Sequence, residues 1–190
     1  MDEKKGGGRL ATVAMAAIAL VVAAAVVVGV LYWKAPRLTR VRVGQAAPDF
    51  TLPLLEPSAL MGNTATVSRM GGPLILFFLD TRWADAGGYA SSAELVYRRN
   101  FRRGLRMAGV FLDDDVKRAA DFARAHELTF MLLTDPHASK VAAKYGTPRA
   151  PEAYLLDAKG QVEAVFTDRI DWADPQTREA IEKHLDPGAW

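Results

Sequence analysis

The sequence predicts an α/β sandwich, a sheet carrying helices on both faces, preceded by one N-terminal transmembrane helix. Three observations predict it. An uncharged apolar run of 23 residues, Ala11–Trp33, lies near the start of the 190-residue chain. After it, continuous apolar runs of strand length alternate with stretches whose apolar residues recur at helical spacing. Finally, these elements open in βαβ order and close in ββα order, the pattern of a layered α/β domain.

Residues 1–10 form a short polar N-terminus, and the anchor follows at 11–33. A helix of that length spans about 35 Å, enough for a hydrocarbon core of about 30 Å. A cleavable signal has a shorter apolar core and a small-x-small cleavage site. Here the run closes on Tyr32 and Trp33, aromatics suited to a lipid–water interface. Flanking charge orients it poorly, because Lys4, Lys5 and Arg9 face Lys34, Arg37, Arg40 and Arg42 across the span. The pairs Ala19/Ala23 and Ala25/Gly29 have the small-x-x-x-small spacing that packs two anchors into a homodimer. An alanine-rich span yields such pairs by chance, so the homodimer is a secondary expectation. Residues 34–43 form a basic linker, whose cations suit anionic headgroups.

The soluble part then reads in order. Asp49–Leu54 and Thr64–Val67 are short strands, and Leu74–Asp80 is a strand buried on both faces. Tyr89–Arg103 is a helix with Tyr89, Ala93, Val96, Tyr97 and Phe101 along one stripe. Leu105–Leu112 is a second buried strand, followed by helix Val116–His126 behind an Asp113-Asp114-Asp115 cap. Phe130–Thr134 is a strand, Ser139–Tyr145 a short helix, and Ala153–Asp157 and Val162–Phe166 a hairpin. A last helix runs from Asp174-Pro175 to Leu185, with proline at its first position.

Composition excludes several functions. Half the residues are apolar and 24% charged, which suits a packed core rather than disorder. Net charge is only +2, too balanced for a nucleic-acid binder. There is no cysteine, so no disulfide, no thiolate nucleophile and no Cys-ligated metal. His126, His137 and His184 share no metal-ligand spacing and read as surface residues, so neither metal nor cofactor is expected. Asp168, Asp171 and Asp174 lack the oxygen count of a calcium loop. Arg98, Arg99, Arg102, Arg103 and Arg106 read as a solvated face at a helix C-terminus. Gly6-Gly7-Gly8 precedes the anchor, not a strand–helix turn, and so cradles no phosphate.

Four stretches carry a family resemblance. Gly44-x-x-Ala47-Pro48-Asp49-Phe50-Thr51-Leu52 resembles the opening of the redoxin group, which includes peroxiredoxin-like (alkyl hydroperoxide reductase/thiol-specific antioxidant) and membrane-tethered thioredoxin-like proteins. Leu76–Thr81 resembles the strand leading to the active-site loop, and Leu133-Thr134-Asp135-Pro136 a conserved-order segment after it. Ala150–Gly160 resembles the cis-proline strand and hairpin, with Arg169-Ile170-Asp171 following. The resemblance covers about residues 44–186, leaving 187–190 as a tail, and implies a thioredoxin-like fold with a central mixed sheet. It also implies thiol–disulfide oxidoreductase or peroxidase activity, which begins with thiolate attack.

That nucleophile is missing. Matching a WCxxC pattern puts Ala84 and Gly87 at the cysteine positions, and matching the redoxin pattern through Thr81 and Tyr89 puts Trp83 there. No catalytic residue is therefore expected. The bland reading of the turn has Asp85 capping the helix, Trp83 packing on a neighbour and Gly87-Gly88 as drift. The functional reading is a retained groove of Thr81, Arg82, Trp83, Asp85, Arg149, Ala150 and Pro151, where an extended peptide pairs with backbone beside a cis-proline. The expected protein is a non-catalytic binding or scaffolding module with a protein or peptide partner. Tethered members of the resembling group usually face outward, which implies a single-pass protein of a bacterial inner membrane with a periplasmic domain.

Overall fold

A computed structural model describes residues 20, 21, 23, 24, 40–58, 62–138, 140–146, 151–167 and 170–185. The chain divides into two compact units, Met1–Arg37 and Leu38–Trp190. In the first, residues 20, 21, 23 and 24 are helical and exposed. The rest of the expected 11–33 anchor lies outside the described residues, as do residues 34–39 of the linker. No helix among the described residues is long and apolar enough to cross a membrane.

The second unit is built on a seven-stranded sheet. Its elements are β1 (Thr51–Ser58), β2 (Gly62–Thr66), β3 (Leu74–Leu79), α1 (Ala86–Asn100), β4 (Arg106–Phe111), α2 (Val116–Ala125), β5 (Met131–Thr134), α3 (Ala142–Tyr145), β6 (Glu152–Leu156), β7 (Val162–Thr167) and α4 (Pro175–Glu182). The spatial order is β2-β1-β5-β4-β3-β6-β7. Strands β3, β4 and β5 run parallel, while β6 and β7 on one flank and β1 and β2 on the other are antiparallel to their neighbours. The sheet is thus mixed, with its parallel part at the centre.

Interior strand β3 explains the layering. All six of its side chains are buried, and they alternate between two cores. Ile75, Phe77 and Leu79 join Tyr89, Ala90 and Ala93 of α1, Ala119 and Ala123 of α2, and Ile181 of α4. Leu74, Leu76 and Phe78 join Val41, Tyr145 and Tyr154 on the other face. Period-two alternation sends each neighbour to the opposite core, and every large apolar side chain so buried contributes about 1.5–3 kcal/mol.

Helices lie on both faces of the sheet, as the sequence had suggested, but unevenly. One face carries α1, α2 and α4, whereas the other carries the one-turn α3 and the extended segment 41–50. That segment bonds its backbone to α3 and to the β6–β7 hairpin. Val41 N–H donates to Tyr145 O (3.2 Å), Gly44 N–H to Val162 O (2.8 Å) and Ala47 N–H to Gly160 O (2.9 Å). The Tyr145 hydroxyl donates to Pro48 O at 3.0 Å. Burial pushes the Tyr145 and Tyr154 phenols well above their usual range. The folded unit therefore includes the last linker residues: Val41 is buried, and Arg40 Nε lies 3.2 Å from Oε1 of Glu152, itself 2% exposed.

Boundaries shift by a few residues where tertiary contacts decide. Helix α1 starts at Ala86 instead of Tyr89, because Ala86 is buried against the core and Gly87-Gly88 continue the helix. The end expected at Arg103 becomes a 3₁₀ turn, Phe101–Arg103, closed by Gly104 at φ 96°. The helix expected over Ser139–Tyr145 is regular only from Ala142.

Candidate functional site

The turn from β3 into α1 is Asp80-Thr81-Arg82-Trp83-Ala84-Asp85. Backbone bonds give it two successive tight turns, with Trp83 N–H donating to Asp80 O and Ala86 N–H to Trp83 O, both 3.1 Å. Asp85 occupies the N-cap position, but its side chain makes no capping hydrogen bond, contrary to the expectation for this residue. Its carbonyl accepts from Tyr89 N–H at 3.1 Å, which starts the helix.

Side chains of the turn split into two groups. Thr81 and Arg82 join a polar network with the loop after β4. Asp113 is 1% exposed and accepts from Thr81 N–H at 3.0 Å, from the Thr81 hydroxyl, and from Arg118 Nε and Nη2 at 3.3 Å. Arg82 donates from Nε (2.9 Å) and Nη2 (2.6 Å) to Asp80 and reaches Asp114 at 3.9 Å. The Arg82 guanidinium holds the Asp80 carboxyl below the usual carboxylate range, although partial burial opposes it. Of the acidic triplet, Asp115 is the cap, accepting from Arg118 N–H at 3.1 Å, while Asp114 lies 2.8 Å from His137 Nδ1.

Trp83 turns the other way. Its half-buried ring meets Tyr89 edge-on at 5.4 Å, and Tyr89 in turn packs on Phe77 (4.9 Å) and Trp172 (5.9 Å). Burial raises the Tyr89 phenol well above its normal value, so it stays protonated. Beside this aromatic stack lies an open cleft of 360 Å³, lined by Trp83, Ala84, Asp85, Gly87, Gly88, Tyr89, Ser92 and Ile170. The structure thus brings Trp83 and Asp85 together and directs Thr81 and Arg82 elsewhere. Pro151 is half-buried at the start of β6, whereas Arg149 and Ala150 lie outside the described residues.

One residue beside this turn was not placed at the candidate site by the sequence. His126, read there as a surface residue, is half-buried over the first turn of α1. A Cβ built on Gly87 would lie 2.5 Å from its Cε1 and 2.8 Å from its Nε2. The ring is fixed by Phe122, 4.4 Å away, and by Ser91 Oγ, 3.2 Å from Nδ1. The glycine pair at the helix start was its sequence signal, since glycine inside a helix costs about 1 kcal/mol and needs a compensating close approach. Ser91 and His126 have the spacing of a nucleophile and base, yet no carboxylate among the described residues touches the imidazole to orient it.

Chemically, the turn offers hydrogen-bond donors, an aromatic wall and a carboxylate, but no thiol. Among the described residues no group of three His, Cys, Asp or Glu side chains could hold a metal ion. Asp171 and Asp174 instead accept from nearby backbone N–H groups, Ala173 at 2.8 Å and Thr177 at 2.9 Å. Asp168 lies outside the described residues.

A mixed sheet with parallel centre, a helix that follows β3 after a short turn, and a proline-led strand beside it define a thioredoxin-like domain. The AhpC/TSA family model matches residues 43–165, and the chain belongs to that family. It is 26% identical over 159 residues to the chloroplastic Peroxiredoxin Q of Populus jackii, covering 77% of this chain and 66% of that protein. It is 25% identical over 152 residues to the Thiol-disulfide oxidoreductase ResA of Geobacillus kaustophilus, covering 78% and 79%. Among solved structures, Peroxidoxin BcpB of Mycobacterium tuberculosis superposes with a TM-score of 0.62 at 21% identity, over 75% of this chain and 96% of that one. The domain is therefore a redoxin related to thiol-disulfide oxidoreductases, and it contains no cysteine.

Proposed function

We propose that this chain is a redox-inactive, membrane-anchored thioredoxin-like module that binds a protein or peptide partner beside Trp83. The observation that carries the reading is chemical: the chain has no cysteine, and the two positions matching a CxxC motif hold a methyl group at Ala84 and no side chain at Gly87. Thiol exchange and peroxide reduction each need a thiolate, and methionine thioethers do not substitute for one. What the turn retains is a binding surface. Trp83 presents a rigid aromatic wall beside an open cleft, the kind of anchor that dominates recognition sites.

The anchor in this reading is residues 11–33, with the domain on the periplasmic face of a bacterial inner membrane. Apolar length supports the anchor, and the outward-facing habit of tethered redoxins supports the side.

Crosslinking pull-down from membranes tests the binding role. The native chain is expected to capture a partner that Trp83→Ala and the exposed-site change Asp85→Arg both release. Equal capture by all three chains would overturn the groove as the docking site.

A further inference from the structure

A second cavity is larger than the cleft at Trp83. It encloses 890 Å³ at the starting ends of β4 and β5, while the candidate turn follows the finishing end of β3. Its volume falls within the roughly 300–1,000 Å³ of small-molecule pockets. Its apolar lining draws on both cores: Tyr97, Met107, Phe130 and Leu132 from one, Met70 and Met131 from the other. Three of the chain's six methionines are therefore gathered in one cavity. Unbranched, polarisable thioethers accommodate flexible apolar chains of varied shape.

Charge at the rim is not balanced. Arg98 is held by Glu94 at 2.6 Å and by the Glu127 carbonyl at 3.0 Å, and Arg124 by Glu56 at 2.9 Å and by Asp121. Arg69 and Arg106 are different. Among the described residues neither meets a carboxylate, and the Arg106 guanidinium donates to the neighbouring Leu105 carbonyl at 3.4 Å. Two exposed guanidinium groups without a carboxylate partner among the described residues thus line a cavity of mixed apolar and charged walls.

We infer that this cavity binds an amphipathic monoanion, a long-chain carboxylate whose head pairs with Arg69 and Arg106 and whose alkyl tail lies along Met70, Met107 and Met131. A carboxylate matches the fork of arginine donors, and a saturated tail matches a lining that lacks buried polar anchors. The site is independent of the cleft at Trp83 and of any partner bound there.

Methyl-labelled methionine NMR on the full chain in phosphatidylcholine nanodiscs tests it, with dodecanoate as probe and empty nanodiscs as reference. Dodecanoate is expected to shift the Met70, Met107 and Met131 methyl signals saturably and to leave Met1, Met15 and Met61 in place. Dodecanol, with the same tail and no charge, is expected to bind about tenfold more weakly. The surface changes Arg69→Gln and Arg106→Gln together should bring dodecanoate down to the dodecanol level while dodecanol binding stays constant. Absence of shifts at saturating dodecanoate, equal binding of acid and alcohol, or indifference to the arginine changes would each overturn the inference. So would tighter capture of an apolar peptide with a free C-terminus, which would assign the cavity to a peptide instead.

Discussion

At residue scale, the cysteine-free turn is fitted by its neighbours and not merely vacated. Gly87 admits the His126 ring, and a side chain there would displace an imidazole tied to Ser91 and Phe122. In the native background, Gly87→Ala should lower stability by about 1 kcal/mol despite alanine's better helix propensity. In a His126→Ala background the same change should raise it by up to about 1 kcal/mol. Urea unfolding of the four chains measures this coupling, and an equal effect in both backgrounds would dissociate glycine from histidine. Arg82 and Asp80 give a pH prediction. The Asp80 carboxyl titrates below its unfolded value, so its contribution is present above about pH 4 and is lost as pH falls through the lowered folded value. Arg82→Ala should bring the NMR-observed Asp80 midpoint up toward the ordinary carboxylate range. An unmoved midpoint would remove the ion pair as its cause. None of these pairings was legible in sequence, because Gly87 and His126, or Thr81 and Asp113, meet only when the chain folds. The glycine at the start of α1 was the one mark of the His126 contact.

Elements were read more successfully, and for a physical reason. A run such as Leu74–Leu79 is apolar at every position because both of its faces meet a core, and that pattern survives in sequence. Proline at the first position of α4 and Asp115 before α2 act locally, so both caps were visible beforehand. Strand β1 was harder, since Pro53 and Pro57 interrupt the pattern while the strand runs on to Ser58. Uneven helix coverage was not visible either, because it depends on segment 41–50 lying back over the sheet. Asp113 is a buried tie between elements, joining the β3–α1 turn to α2 through Thr81 and Arg118. Asp113→Ala leaves those donors without their buried acceptor and should cost about 3 kcal/mol in denaturant unfolding. A loss below about 0.5 kcal/mol would show the tie to be redundant.

At the scale of the whole molecule, the missing thiol becomes an experimental convenience. With no native cysteine, single cysteines at Lys5 and Gly188 are unique labels for topology. Outside labelling of intact cells should modify the Gly188 position and spare Lys5, and the reverse would invert the proposed orientation. Loss of redox chemistry is the claim on which the binding role stands. Its most direct measurement is the reduction of insulin disulfides by dithiothreitol in the presence of the purified full-length chain. The predicted rate equals that of dithiothreitol alone at every protein concentration, whereas a saturable acceleration that boiling abolishes would contradict a redox-inactive domain.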